Sequence, residues 1–151
     1  MRPATQGDAE QLAPRLRKAD LREIQAASGG EPLAILQQGV ASSVPCLAAV
    51  DSAGHLLALF GVIPDPDRSD TGMVWLLGSP ELLRHRASIL RMSREWVDRL
   101  HETYRVLWNF VDARNQVHVR WLQWSGFELL RLVAGHGFER RPFYQFERVR
   151  S

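Results

Sequence analysis

Arg84, His85 and Arg86 stand together where a helical pattern begins, and their side chains suit the oxygens of a phosphate. Cations at a helix N-terminus oppose its dipole, so an anion bound there would relieve a small repulsion; the reading that comes first, though, is a solvated basic helix start. Asn115 closes the run Asp112-Ala113-Arg114-Asn115 between a strand pattern and a helix pattern, where it can start the helix or touch a ligand in a cleft. Glu81 and Asp112 near strand ends are candidate proton acceptors, and His118 and Tyr104 are candidate proton donors. Each also has an ordinary role as cap, loop acid or structural residue, so no catalytic residue is assigned. His55, His85, His101, His118 and His136 show no paired metal spacing, and the lone Cys46 can build neither a zinc site nor an intrachain disulfide. No metal is expected. Cys46 lies in an apolar run and reads as an inert core thiol, and no G-x-S-x-G marks a hydrolase.

Composition narrows the partners. With 151 residues, a 45% apolar share and 24% charged residues, the chain suits one globular domain spanning 1–151. No run approaches the ~18 apolar residues that span a bilayer, and no apolar stretch near Met1 resembles a signal peptide, so no membrane partner and a cytoplasmic location are expected. The net charge of +2 does not argue for nucleic acid.

These residues need elements to position them. The chain opens as a short strand, then a turn at Gln6-Gly7-Asp8 caps a helix whose Leu12, Leu16, Ala19 and Ile24 recur at helical spacing. Gly29-Gly30 breaks that pattern, and Pro32 suits the first turn of a second helix reaching about Ser42. Apolar runs at 45–50 and 56–63 flank Asp51-Ser52-Ala53-Gly54 and predict a hairpin ended by Pro64-Asp65-Pro66-Asp67. A strand at 73–77 stops at Gly78-Ser79-Pro80, and 86–101 reads as a helix with Ile89, Met92, Trp96 and Leu100 on one face. A strand at 106–111, a helix at 117–124 and strands at 127–133 and 143–149 complete the chain. Strands alternating with helices after a hairpin predict a mixed sheet covered by helices on both faces. Trp121, Trp124 and Arg120 share one helix and are read as a contact surface.

Arg2-Pro3-Ala4-Thr5 with Asp8-Ala9-Glu10, and Val50-Asp51-Ser52-Ala53-Gly54-His55 with Leu59-Phe60-Gly61-Val62, match a known first strand, helix and hairpin. Val111, Asn115 and Gly126-Phe127 match a strand–Asn–helix–Gly-Phe element. Together, across nearly the whole chain, they resemble the GNAT superfamily of acetyl-CoA-dependent N-acyltransferases. Trp75-Leu76-Leu77-Gly78-Ser79-Pro80, Arg91-Met92-Ser93-Arg94 and the run from Trp108 to Asn115 with Trp121-Leu122 further resemble a GNAT-like family of short-tailed phages, whose members are internal virion or core proteins.

The resemblance implies an α/β (α+β) domain with a mixed, mostly antiparallel sheet of about six or seven strands, and acetyl-CoA as cofactor. It implies that the backbone at Leu76 and Leu77 runs along pantetheine and that Asn115 touches the cofactor; Arg84 and Arg86 stand where the family's pyrophosphate loop lies and can replace its backbone donors with side-chain charge. Two departures weaken that site. No glycine occurs between Gly78 and Gly126, so the glycine-rich phosphate loop is missing. Leu122 stands seven residues after Asn115, where many relatives carry a tyrosine that protonates the leaving thiolate. The leading expectation is therefore a phage-type protein of virion assembly, its acetyl-CoA site degenerate and other virion proteins its partners. The alternative is an active N-acetyltransferase with a protein or small-molecule amine as acceptor. The arginine-rich helix from Arg84 to Arg99 supports nucleic-acid binding less, given the charge.

Overall fold

The computed structural model describes residues 1–150. Its strands are β1 (Arg2–Pro3), β2 (Cys46–Val50), β3 (Leu56–Pro64), β4 (Thr71–Gly78), β5 (Val106–Asp112), β6 (Glu128–His136) and β7 (Arg141–Val149). Its helices are α1 (Gln6–Leu12), α2 (Lys18–Ala27), α3 (Pro32–Ser42), α4 (Arg86–Leu100) and α5 (Gln116–Trp124). The seven strands form one sheet in the order β1-β2-β3-β4-β5-β7-β6. Every pair is antiparallel except β4–β5.

The single front helix expected from the spacing of Leu12, Leu16 and Ile24 is two helices. Thr5 and Asp8 form a capping box that starts α1. Pro14 has no N–H and its ring would clash with the carbonyl four residues back, so the chain tightens into a 3₁₀ turn over Ala13–Arg15. Leu16 and Arg17 are then extended, which redirects α2 across the sheet.

Side chains alternate between two faces. Leu12, Ile24 and Leu36 of the three front helices, with Leu16 between α1 and α2, pack on Leu59 and Leu77. On the opposite face Val97 and Leu100 of α4 and Leu122 of α5 pack on Val62, Val111 and Phe146. Leu82 and Ile89 cover Ala58 and Leu76 on that same side.

The parallel ladder between β4 and β5 joins Thr71 to Val106, Gly72 to Leu107 and Met73 to Trp108, and goes no further. Asn109 wedges the strands apart: its Nδ2 donates to the Val74 carbonyl (2.9 Å) and its Oδ1 accepts from the Phe110 N–H (2.7 Å). A side-chain amide thus replaces the next rung, satisfying backbone groups that burial would otherwise orphan.

Helix α2 lies across the open end of this splay and is tied at both ends. The Arg17 N–H donates to the Gly78 carbonyl (2.9 Å), while the Ala26 and Ala27 carbonyls accept from Glu139 and Phe138 in the β6–β7 turn (3.0 and 3.1 Å). That turn needs Gly137, at φ 78°, because a Cβ there would sit 2.5 Å from the Ala26 carbonyl oxygen.

Candidate functional site

The open edge of β4 has one uncommitted peptide group. Gly78 donates its N–H to Asp20 Oδ2 (3.0 Å) and Val74 gives its carbonyl to Asn109, so both turn toward β5. Leu76, two residues from each, turns the same way, and its N–H and C=O have no partner on β5.

Two hollows approach Leu76 from opposite faces of the sheet. The first is a groove of about 440 Å³ between α4, α5 and the segment before α4. Leu76, Leu82 and Ile89 floor it, Val117 and Trp121 wall it, and Arg17, Arg86 and Arg120 bring positive charge to its rim. Arg86 and Arg120 have no carboxylate partner among the described residues. The wall is held firmly. Trp121 Nε1 donates to Ser93 Oγ (2.7 Å), Trp124 Nε1 donates to the Leu90 carbonyl (2.9 Å), and the Arg94 guanidinium lies 3.8 Å from the Trp124 ring centroid.

The second hollow, about 320 Å³, lies beneath α2 and α3. Its wall is aromatic: Trp75, Phe110, His136, Phe143 and Phe146. His136 stacks on Phe110 with ring centroids 4.0 Å apart. Gly39 lets α3 approach closely, since a Cβ there would meet Trp75 at 2.8 Å. No arginine, lysine or aspartate lines this cavity, and Glu23 is its one carboxylate.

Leu76 and His118 line both hollows. His118 is 8% exposed, and its Nδ1 is buried without a hydrogen-bond partner. Burial, only partly offset by the charge of Asp20, lowers its pKa and keeps the ring neutral at pH 7.

An acidic group on α2 organises the mouth of the splay. Asp20, wholly buried, accepts from Gly78 N–H, from Asn115 Nδ2 (3.1 Å) and from Arg17 (3.3 Å). Glu23 Oε1 accepts from the Asp112 N–H (2.9 Å), while its Oε2 has no partner among the described residues. Burial pushes the Glu23 carboxyl up to about 8, and the charges of Asp20 and Asp112 add to the rise. Asp112 goes the other way. Burial alone would raise it, but the Arg114 pair at 2.7 Å and the Arg114 N–H hold it below the usual range.

The residues named from sequence separate. Leu76 lies at the meeting point and Arg86 at the groove rim. Leu77 points its side chain to the front-helix face. Arg84 is exposed outside the groove. Asn115 is buried, makes no side-chain cap to α5, and reaches Asp20 instead. Leu122 is buried in the α4/α5 core and carries no proton. Tyr104 sits at the paired end of β4 and β5, its hydroxyl donating to the Val44 carbonyl. Glu81 pairs with Arg15 at 3.4 Å. Arg17, Asp20 and Glu23 were not singled out; the polar pair Asp20 and Glu23 at helical spacing beside the apolar Ile24 was their one signal. Among the described residues no cluster of three or more His, Cys, Asp or Glu could hold a metal, and no helix is long and apolar enough to cross a membrane.

No protein-family model matches the chain, and no curated protein matches it. Solved structures do. A phosphinothricin acetyltransferase of the GNAT superfamily from Sinorhizobium meliloti, in complex with AcCoA, is similar at TM-score 0.76 and 18% identity, covering 98% of this chain and 86% of that one. A ribosomal-protein-alanine N-acetyltransferase from Brucella melitensis is similar at TM-score 0.70 and 15% identity, with 98% of each chain covered. A spermidine N-acetyltransferase from Vibrio cholerae, in complex with CoA and spermine, is similar at TM-score 0.70 and 12% identity over 98% of this chain and 93% of that one. The chain has the GNAT acyltransferase fold: a seven-stranded, mostly antiparallel sheet flanked by five helices.

Proposed function

We propose that this protein holds an acyl-CoA in the α4/α5 groove and passes the acyl group to an amine entering from the opposite face. One observation carries this reading: two hollows on opposite faces of the sheet meet at the uncommitted Leu76 peptide group. The residues present fit such a ligand. Arg86 and Arg120 offer side-chain cations for phosphates, in place of a glycine-rich loop. The apolar floor suits the arm, and the Leu76 N–H offers a donor to an acyl oxygen. When bound, acyl-CoA supplies an acyl carbon activated as a thioester. His118 is neutral and excludes water from the passage between the hollows. No side chain takes the place of the absent tyrosine; a thiolate of pKa near 8.5 leaves with modest help.

The test is titration of the protein with CoA and acetyl-CoA, followed by calorimetry and by the fluorescence of Trp121 and Trp124. Micromolar affinity is expected, and Arg86→Ala with Arg120→Ala is expected to weaken it about 10- to 100-fold. Affinity that is unchanged in the double variant refutes the phosphate assignment. Absence of CoA binding refutes the function.

A second reading is a phage virion component with a degenerate site and virion proteins as partners. Residues Pro80–His85 form a 3₁₀ helix in which Leu82 donates to Ser79 and Arg86 to Leu83, so this backbone turns part of its N–H supply inward. Edge strand β6 and its turn also expose Leu130, Leu132 and Phe138. Co-assembly with structural proteins, by a form mutated at Arg86 and Arg120 that no longer binds CoA, would favour this reading over transfer.

A further inference from the structure

The cavity beneath α2 and α3 has a composition that selects among amines. Its wall is apolar and aromatic, its volume is about 320 Å³, and its one carboxylate is Glu23. No arginine or lysine lines it. The arginines paired with its neighbouring acids are already engaged: Arg17 by Asp20 at 3.3 Å and Arg114 by Asp112 at 2.7 Å. Glu23 Oε1 is taken by the Asp112 N–H, and Oε2 has no partner among the described residues. A second observation points to a ligand. His118, more than nine-tenths buried, lines the same cavity with its Nδ1 unpartnered.

We propose that this cavity binds a primary monoamine with an apolar or aromatic body, its ammonium group paired with Glu23 and its hydrocarbon part lying on Trp75, Phe110 and Phe143. This rests on reading the cleft as a site of acyl transfer to an amine, and it names the class of acceptor. The walls exclude two other classes. An amino acid would bring a carboxylate that meets no cation in the cavity, and a linear diamine would bring a second charge that meets no second acid. The groups that act on Glu23 are Asp20 on its own helix, Asp112 at the end of β5 and Asn115 before α5; His118, held neutral by burial, and His136 line the same cavity.

Binding can be measured without CoA, which separates this inference from the function it rests on. The probe is 2-phenylethylamine, compared by calorimetry with 2-phenylethanol and with 1,4-diaminobutane, at pH 7 in buffers of different ionisation enthalpy. Wild type is expected to bind the phenyl amine best and to release close to one proton per amine, because the arriving ammonium drives the proton from Glu23. Glu23→Gln keeps the Oε1 acceptor and is expected to lose the proton release and weaken binding about 10- to 100-fold. Ala27→Phe fills the cavity from its exposed rim and is expected to block binding while Glu23 is intact. Loss of binding in both variants supports the proposal. No phenylethylamine binding to wild type, equal affinity in either variant, or tighter binding of the diamine overturns it. If CoA still binds in those cases, the proposed function stands without this substrate class; if the amine binds and CoA does not, the amine site stands and the transfer function falls.

Discussion

The two hollows that meet at Leu76 differ in how their charge is held. Around the α4/α5 groove the cations Arg86 and Arg120 are exposed and unpaired, on an apolar floor open to solvent. In the α2/α3 cavity the one carboxylate, Glu23, is half-buried and pushed up to about 8. Exposed cations attract an anion from solution at little cost of desolvation, and salt screens them. A half-buried carboxylate is costly to ionise until a cation arrives. One side therefore suits a large anion at the surface and the other a small cation in the interior, and the same sheet edge serves both. Asp20 fixes α2 across the splay.

The largest effect that tests this contrast comes from Asp20. Its removal leaves Arg17 buried without a counter-charge and orphans the Gly78 N–H and the Asn115 amide. Asp20→Ala is expected to destabilise the protein by about 3–5 kcal/mol, read by chemical denaturation, with loss of ligand binding on both faces. Asp20→Asn keeps one acceptor oxygen and is expected to cost less. A change below about 1 kcal/mol in the alanine variant would show that α2 is held by its other contacts and that the hollows are not organised by this carboxylate.

The next effect concerns Glu23 and has a definite sign. The unfolded carboxyl titrates near its ordinary value of 4.5, and the folded one at about 8. Between those pH values the folded state holds a proton that the unfolded state has lost, so stability falls as pH rises through that window. Glu23→Gln removes this dependence. Because the side chain is partly exposed, the gain at pH 8.5 over pH 5 is expected to be about 1–2 kcal/mol, less than the full shift would give. Melting temperatures at the two pH values check it. A variant no more stabilised at pH 8.5 than at pH 5 would show that Glu23 is solvated, and the contrast between the hollows would weaken.

Much of the frame was legible from local pattern. Pro32 marked the start of α3, the run at 56–63 gave most of β3, and Gly126, at φ 91°, closed α5 before Phe127 entered the core. The seven-stranded sheet agrees with the resemblance carried by Val111, Asn115 and Gly126-Phe127. What remained hidden depends on distant contacts. Asp20 and Glu23 are ordinary helical acids until Pro14 breaks the front helix and Arg17 bonds to Gly78, which brings them to the splay. Arg84 and Arg86 looked equivalent as neighbours. Two residues apart on a helical turn they point to different sides, which leaves Arg86 on the groove and Arg84 off it. Asn115 carried a plausible cap role because strand-to-helix junctions favour one, yet a buried carboxylate from α2 claims its amide.

The smallest effect decides whether the two hollows act together. His118 lines both, and its burial keeps the folded-state pKa below the usual histidine value. As pH falls through 6.5 the unfolded state gains a proton that the folded state resists, so this residue lowers stability on the acid side. His118→Leu removes that loss and the unpartnered Nδ1, and is expected to stabilise the protein at pH 5 by about 0.5–1 kcal/mol more than at pH 7.5. If the ring only fills space, the leucine variant binds CoA and 2-phenylethylamine as wild type does. If the ring is the shared wall through which the hollows meet, occupancy on one face alters affinity on the other in wild type, and leucine changes that coupling. By linkage the coupling must be equal in both directions, so titrating each ligand in the presence of the other provides its own check.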